Sequence, residues 1–166
     1  MAGLTLRPLR EEDITERYLS WFRDPEVTRY LDAHDITRED AIEHLRRSGQ
    51  YVFAIEVDGV HIGNVKVGPI DQRHGLADLV TVIGDRDYWG KGYATEVVQQ
   101  AMEIAWSLGV RKLAAGIHGD NVGSLKAYLR AGFVAEGRLA DHYMVDGKPQ
   151  DRVCVSAWNP ALQLEG

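Results

Sequence analysis

One cysteine, Cys154, stands in 166 residues, so no internal disulfide can form. It falls in an apolar run that reads as a strand, where an inert core thiol is the expected state. No stretch approaches the ~18 consecutive apolar residues of a membrane span. The first residues, Met1-Ala2-Gly3-Leu4-Thr5-Leu6-Arg7, lack the apolar core of a secretion signal. The six histidines (His34, His44, His61, His74, His118 and His142) show no metal-ligand spacing, so no metal is expected and they read as unrelated surface or core residues. There is no basic stripe either: 19 Lys and Arg face 25 Asp and Glu, net −6, which argues against a nucleic-acid partner. Linkers, repeats and low-complexity tracts are missing. These absences leave a cytoplasmic, metal-free globular protein with no membrane partner. Residues 1–166 are expected to form one domain, its core spanning about 4–158.

What charge there is lies unevenly. Residues 11–45 hold eleven acids against four arginines, net −7. Solvated helix faces account for such a surplus. The sharper alternative is an acidic surround that attracts a cationic amine.

The chain alternates strand and helix patterns. Leu4–Leu9 reads as an edge strand, Glu11–Phe22 as a helix stopped by Asp24-Pro25, and Arg38–Ser48 as a second helix capped by Thr37. Tyr51–Val57 and Val60–Val67 form a hairpin on Asp58-Gly59. Leu76–Ile83 is apolar almost throughout, which predicts a central strand buried on both faces. Ala94, Val97, Val98, Ala101, Ala105 and Leu108 follow helical spacing, with Gly109 as stop. Val110–Ile117 is another strand. Asn121 caps a helix over Val122–Ala131 that Gly132 ends. Phe133–Tyr143 and Arg152–Trp158 close the sheet around Asp146-Gly147. Mixed strands with helices on both faces make a three-layer α/β domain.

The densest information lies at Val82–Glu96, where an apolar strand enters a glycine-bearing loop that opens a long amphipathic helix. Free amides at a helix start and the positive end of its dipole make an anion site. Glycines let the backbone close around a phosphate. A P-loop does not fit, because five residues separate Gly84 from Gly90 and Gly92 follows Lys91 where Ser or Thr is required. A dinucleotide fingerprint does not fit, because Gly90-Lys91-Gly92-Tyr93-Ala94-Thr95 ends in Thr and Arg111-Lys112 occupy the place of the ribose-binding acid.

What remains, Asp87-x-x-Gly90-x-Gly92-Tyr93-Ala94, resembles the pyrophosphate loop of the GNAT superfamily of acyl-CoA-dependent N-acetyltransferases. Asp87 stands where the family carries Gln or Arg, and Arg86 or Lys91 is the candidate to restore positive charge. Asn121-Val122-Gly123-Ser124-Leu125-Lys126-Ala127-Tyr128-Leu129-Arg130-Ala131-Gly132-Phe133 resembles the family's second cofactor-contacting helix. The resemblance runs from about Leu4 to Ala157. It is nearest the ribosomal-protein N-terminal, polyamine and nucleotide-amino-sugar acetyltransferases.

That resemblance implies a mixed, mostly antiparallel sheet of about seven strands, splayed beside its central strand. It implies acetyl-CoA as co-substrate, with pantetheine along Val82 and Ile83 and pyrophosphate on Trp89, Gly90, Lys91, Gly92, Tyr93, Ala94 and Thr95. Asn121 and Ser124 would touch the pantetheine arm. Tyr128 matches the signature tyrosine that protonates the departing thiolate, with packing on the sheet as its plainer role. Asp78 is the only ionisable side chain between Leu76 and Ile83 and is the candidate base, with an ion pair to Arg73 or Arg86 as the alternative. A backbone N–H near Val80–Val82 is the oxyanion candidate. The acceptor would lie among Trp21, Arg23, Tyr30 and His34 on one side and Tyr143 on the other. The expected reaction is acetyl transfer to a primary amine of a small molecule, a nucleotide-linked amino sugar first among the candidates. A protein N-terminal α-amine, a polyamine, and a non-catalytic acyl-CoA-binding domain are the alternatives. A homodimer is compatible with this reading.

Overall fold

Asp58 and Gly59 both adopt positive φ, 49° and 81°, and close a two-residue hairpin between strand β2 (Tyr51–Val57) and strand β3 (Val60–Asp71). A computed structural model describes residues 3–162, and in it this hairpin is the start of one seven-stranded sheet. Strand β1 (Leu4–Pro8) forms one edge, as expected. Strand β4 (Leu76–Ile83) follows β3, then β5 (Lys112–His118), β7 (Lys148–Trp158) and the far edge β6 (Val134–Val145). Every pair is antiparallel except β4 with β5.

Helices cover both faces. The amphipathic helix α4 (Tyr93–Ser107) buries Val97, Val98, Ala101 and Ala105 against one face, beside helix α5 (Val122–Ala131). The other face of the β1–β4 half carries α1 (Glu16–Trp21), α2 (Pro25–Thr28) and α3 (Arg38–Leu45) around a second core of Ile14, Tyr18, Trp21 and Ala54. The three-layer reading therefore stands.

Three expectations need correction. The helix expected over Glu11–Phe22 is broken: a single 3-10 turn at Glu11–Asp13 precedes α1, because the Thr15 side chain accepts from Tyr18 N–H and starts a new helix there. Ile14 between them turns into the second core, 2% exposed. Strand β3 runs four residues further than the alternation suggested, to Asp71. Strand β4 is not buried on both faces: Ala77 and Leu79 are buried while Asp78 and Val80 are exposed, the alternation of a strand with only one covered face.

Gly84 shows why α1 sits where it does. A Cβ there would lie 2.2 Å from Cδ2 of Trp21, so the indole packs flat against the chain leaving β4. Gly84→Ala is expected to destabilise the protein by about 1–3 kcal/mol through this overlap. The check is a lower urea midpoint at unchanged denaturant slope.

Candidate active site

Strands β4 and β5 pair over only three positions, Leu76 with Lys112, Ala77 with Leu113 and Asp78 with Ala114. Beyond Asp78 they part. The opening is a cleft of about 960 Å³ reaching from the start of α4 to α2 and the β6–β7 hairpin. This is the splay that the resemblance implied.

The edge of β4 facing the opening can be assigned atom by atom. A Cβ on Gly63 would lie 2.1 Å from the carbonyl oxygen of Val82, so Val82 O points toward β3. The N–H and C=O of one strand residue share an edge and alternate along the chain. Leu79, Thr81 and Ile83 therefore turn their backbone groups to the splay. Two of these carbonyls are already engaged: Leu79 O accepts from the Tyr128 hydroxyl at 3.2 Å, and Ile83 O accepts from Trp89 Nε1 at 2.8 Å. Val82 lines the cleft by its side chain, and its backbone is not the splay-edge partner expected of it. Register is unbroken from Leu79 to Ile83; the local irregularity belongs to β3, between Val67 and Ile70.

At the cleft's phosphate end, Gly90 and Gly92 have φ of 71° and 82°, and a Cβ on either would meet nothing within 4 Å. These glycines serve backbone conformation and leave open space before the first turn of α4, which suits a pyrophosphate. Trp89, Tyr93, Ala94, Thr95, Asn121 and Ser124 line the same cleft, as expected. Asn121 also caps α5, its Oδ1 accepting from Ser124 N–H at 3.4 Å. Lys91 does not line it; its Nζ lies 5.7 Å from the Tyr88 ring centroid. Arg86 is paired with Asp24 at 3.4 Å. Positive charge at this end comes instead from Lys126 and Arg130, one turn apart on α5, which line the cleft.

Tyr128 rises from α5 into the fork of the splay. Its ring packs edge-on to Phe133, centroids 5.0 Å apart, and only 3% of the residue is exposed. The hydroxyl reaches Leu79 O and lies 3.4 Å from Thr81 Oγ1. Burial pushes the phenol up to about 12, so it carries its proton throughout the neutral range. Asp78 lines the cleft, is exposed, and makes no ion pair within 4.0 Å among the described residues. The pairs considered with Arg73 and Arg86 do not form. Lys66, on β3, shares this part of the lining; burial lowers its affinity for a proton and the Asp78 charge partly restores it.

The acceptor residues divide. Tyr30 and Tyr143 line the cleft. Trp21 does not, since it is 5% exposed in the second core. Arg23 points away, paired with Glu16 at 3.4 Å and Asp35 at 3.5 Å. His34 folds onto Leu31 O at 2.7 Å outside the cleft. The fault in that assignment was direction: α1 turns its aromatic face to the sheet, and the chain reaches the opening only from α2 onward.

Sequence reasoning missed His118 and Arg152. His118 ends β5 and stacks on Tyr143, centroids 3.8 Å apart and planes 9° from parallel, with Tyr30 5.1 Å away. Burial holds His118 below its usual range, with Asp120 and Asp32 opposing. Arg152 faces His118 across the β5–β7 pair and donates from Nη1 to the Tyr143 hydroxyl at 3.1 Å. Tyr143 reaches them because two extra residues loop out of β6 between Leu139 and Tyr143, held by Asp141 N–H on Asp151 Oδ1 at 3.0 Å. The one available hint was Gly116, a glycine within a strand run.

A family profile described as "Acetyltransferase (GNAT) domain" matches residues 3–134. The chain belongs to the GNAT acetyltransferases. An uncharacterized N-acetyltransferase p20 of Bacillus licheniformis is 32% identical over 157 residues, covering 87% of this chain and 86% of that one. The spermidine N(1)-acetyltransferase of Vibrio cholerae is 25% identical over 159 residues, covering 89% and 88%. The crystal structure of spermidine N-acetyltransferase from Vibrio cholerae in complex with CoA and spermine superposes with a TM-score of 0.85 at 22% identity, covering 94% of this chain and 95% of that one, a likeness of fold. The protein is an acetyl-CoA-dependent N-acetyltransferase, and its glycine-walled, amide-rich cleft end fits that co-substrate.

Coenzyme A should therefore raise the melting temperature, because it binds the folded state. Gly92→Asp puts a side chain and a negative charge into the open space before α4. The expected result is a folded protein whose melting temperature no longer responds to coenzyme A. An undiminished response would remove the loop from the binding site.

Proposed function

We propose that this acetyltransferase acts on the primary amine of a small molecule by direct attack, with Tyr128 as the acid and Asp78 as the base. The carrying observation is that a buried phenol and a free carboxylate flank the same three-residue fork from opposite faces. Acetyl-CoA supplies an activated acetyl thioester.

Asp78 faces the layer of α1–α3, where the amine arrives, and accepts the proton the amine gives up, directly or through water. Thr81 turns its N–H to the opening and is the backbone donor placed for an oxyanion. Tyr128 donates from its hydroxyl toward the sulfur side of the fork. A phenol near 12 is a weaker acid than a thiol of ~8.5. Its hydrogen bond gains most as negative charge builds, and the amine's lost proton balances the one gained by the thiol.

The spermidine-acetylating relative supports a polyamine as the alternative acceptor, as do Glu26 and Asp32 at the mouth. For a nucleotide-linked amino sugar, Tyr30, Tyr143 and Arg29 line the cleft, whereas Trp21 is buried in the second core and Arg23 lies outside. A silent binder would have no use for an unpaired Asp78.

Tyr128→Phe keeps the ring and its packing on Phe133. Loss of the hydroxyl is expected to lower kcat roughly 10²-fold with little change in KM or in coenzyme A binding. Near-normal turnover with chemistry rate-limiting would make Tyr128 structural. Asp78→Asn differs in its pH profile: its deficit should shrink as pH rises, because more of the amine is already neutral. A deficit constant across pH would take the base role from Asp78.

A further inference from the structure

We infer that Arg152 anchors an anionic group of the acceptor, and that the acceptor is an amino acid, carrying its carboxylate on Arg152 while its amine faces Asp78. The inference rests on the proposed small-molecule reading and gives that acceptor its class.

Gly116 makes the site. A Cβ there would lie 2.2 Å from Cζ, 2.4 Å from Nε and 2.5 Å from Nη2 of Arg152. The guanidinium thus lies flat on the bare backbone of β5, in space that any other residue would fill. Gly116 and Arg152 both line the cleft. Tyr143 takes one N–H of the fork at 3.1 Å, and the stack of Tyr143 on His118 holds that oxygen in place. No carboxylate stands within 4.0 Å of Arg152 among the described residues, although other basic residues find partners, such as Arg29 with Asp146 and Lys112 with Glu136. An oriented guanidinium with unused donors in a cleft is matched by a planar carboxylate, which takes two parallel N–H bonds.

Its position selects the size. Val80 and Gly116 each stand two residues beyond the last bridged pair, Asp78 with Ala114. The guanidinium over Gly116 therefore stands at the young end of the splay, in the same cleft lining as Asp78 and Val80. Paired strands lie about 4.8 Å apart and the splay widens that, which leaves the amine and the anion about one compact amino acid apart. A polyamine in the same place would set an ammonium against Arg152, with Lys66 as a second cation in the lining. The acids at the mouth, Glu26 and Asp32, remain free to draw in the ammonium end of a zwitterion.

The test compares acceptors that differ only in the anion. Thiol release is measured with the twenty common L-amino acids, their amides, the corresponding decarboxylated amines, and spermidine. For the best amino acid, kcat/KM should exceed that of its amide and its decarboxylated amine by about 10- to 100-fold. Arg152→Gln should erase most of that preference through KM, leaving the decarboxylated amine within about threefold of its wild-type rate. Arg152→Lys should recover only part, since an ammonium cannot bind bidentately. Binding is read apart from turnover: with coenzyme A present, the amino acid should raise the melting temperature of the wild type and not of Arg152→Gln. A wild-type preference for spermidine or the decarboxylated amines, an equal loss for all amines in Arg152→Gln, or no amino-acid-dependent melting shift would each overturn the inference while acetyl transfer itself stands. Absence of thiol release with every amine, alongside an amino-acid melting shift that needs Arg152, would overturn the small-molecule mechanism and keep the anion site.

Discussion

The brevity of one strand pairing governs this molecule. Strands β4 and β5 are the only parallel neighbours in the sheet, and they stay together for three residue pairs. Each further pair would have satisfied backbone groups that are otherwise left open, and unpaired buried amides are costly. The protein meets part of that cost with side chains. Tyr128 serves Leu79 O from one side, and Trp89 serves Ile83 O from the loop. Thr81 is left between them, its backbone turned to the opening. The fork thus exists because two aromatic side chains stand in for a missing neighbour strand, and the proposed reaction centre is the gap between them.

Charge in the cleft is divided by burial. Tyr128 is sealed under the sheet, and its desolvation keeps the phenol protonated. Asp78 lies on the open side, exposed and without an ion-pair partner among the described residues, with Lys66 in the same lining. The Tyr128 hydroxyl meets β4 at Leu79 and Thr81, one and three residues beyond Asp78, yet the two groups belong to different environments. Such separation suits the opposite proton duties proposed for the carboxylate and the hydroxyl. At the wall, burial lowers the affinity of His118 for a proton, Asp120 and Asp32 oppose it, and Arg152 adds to the lowering.

The local signals in the chain were legible where they depended on neighbours in sequence. Asp58-Gly59 demanded a hairpin, Thr37 and Asn121 capped the helices they precede, and Gly132 at φ 111° ended α5. The loop at Gly90 and Gly92 declared itself by spacing and by resemblance. Side-chain direction was less accessible. Trp21 and Tyr30 lie nine residues apart in one aromatic stretch, and nothing local says that the first turns to the sheet and the second to the cleft. Arg152, His118 and Lys66 were out of reach for a different reason: they come from β7, β5 and β3, and only the strand order brings them to one opening. Apolar content alone misled at β4, because a strand beside a cleft keeps an apolar side chain, Val80, where the α1–α3 layer leaves it exposed.

Strand β4 also explains how a single element can serve two reactants. Its pleat sends the side chains of Asp78, Val80 and Val82 to the face of α1–α3, where Val82 packs on the second core. The same pleat turns the backbone of Leu79, Thr81 and Ile83 to the splay. On the proposed mechanism, backbone is thereby offered to the co-substrate and side chains to the acceptor. A substitution at Asp78 or Val80 can change the acceptor face without moving an amide of the splay edge, whereas a change that shifts β4 by one residue would exchange the two sets. Gly63 guards against that slip: it is the residue of β3 over which Val82 O closes to within 2.1 Å of where a Cβ would stand, so the register that sends Val82 inward is the one that only glycine accommodates. In the proposed assignment, specificity on one face and co-substrate binding on the other are then separable by sequence, so that one scaffold can keep its acetyl donor while its proposed acceptor wall, here Gly116, His118, Tyr143 and Arg152, is rebuilt.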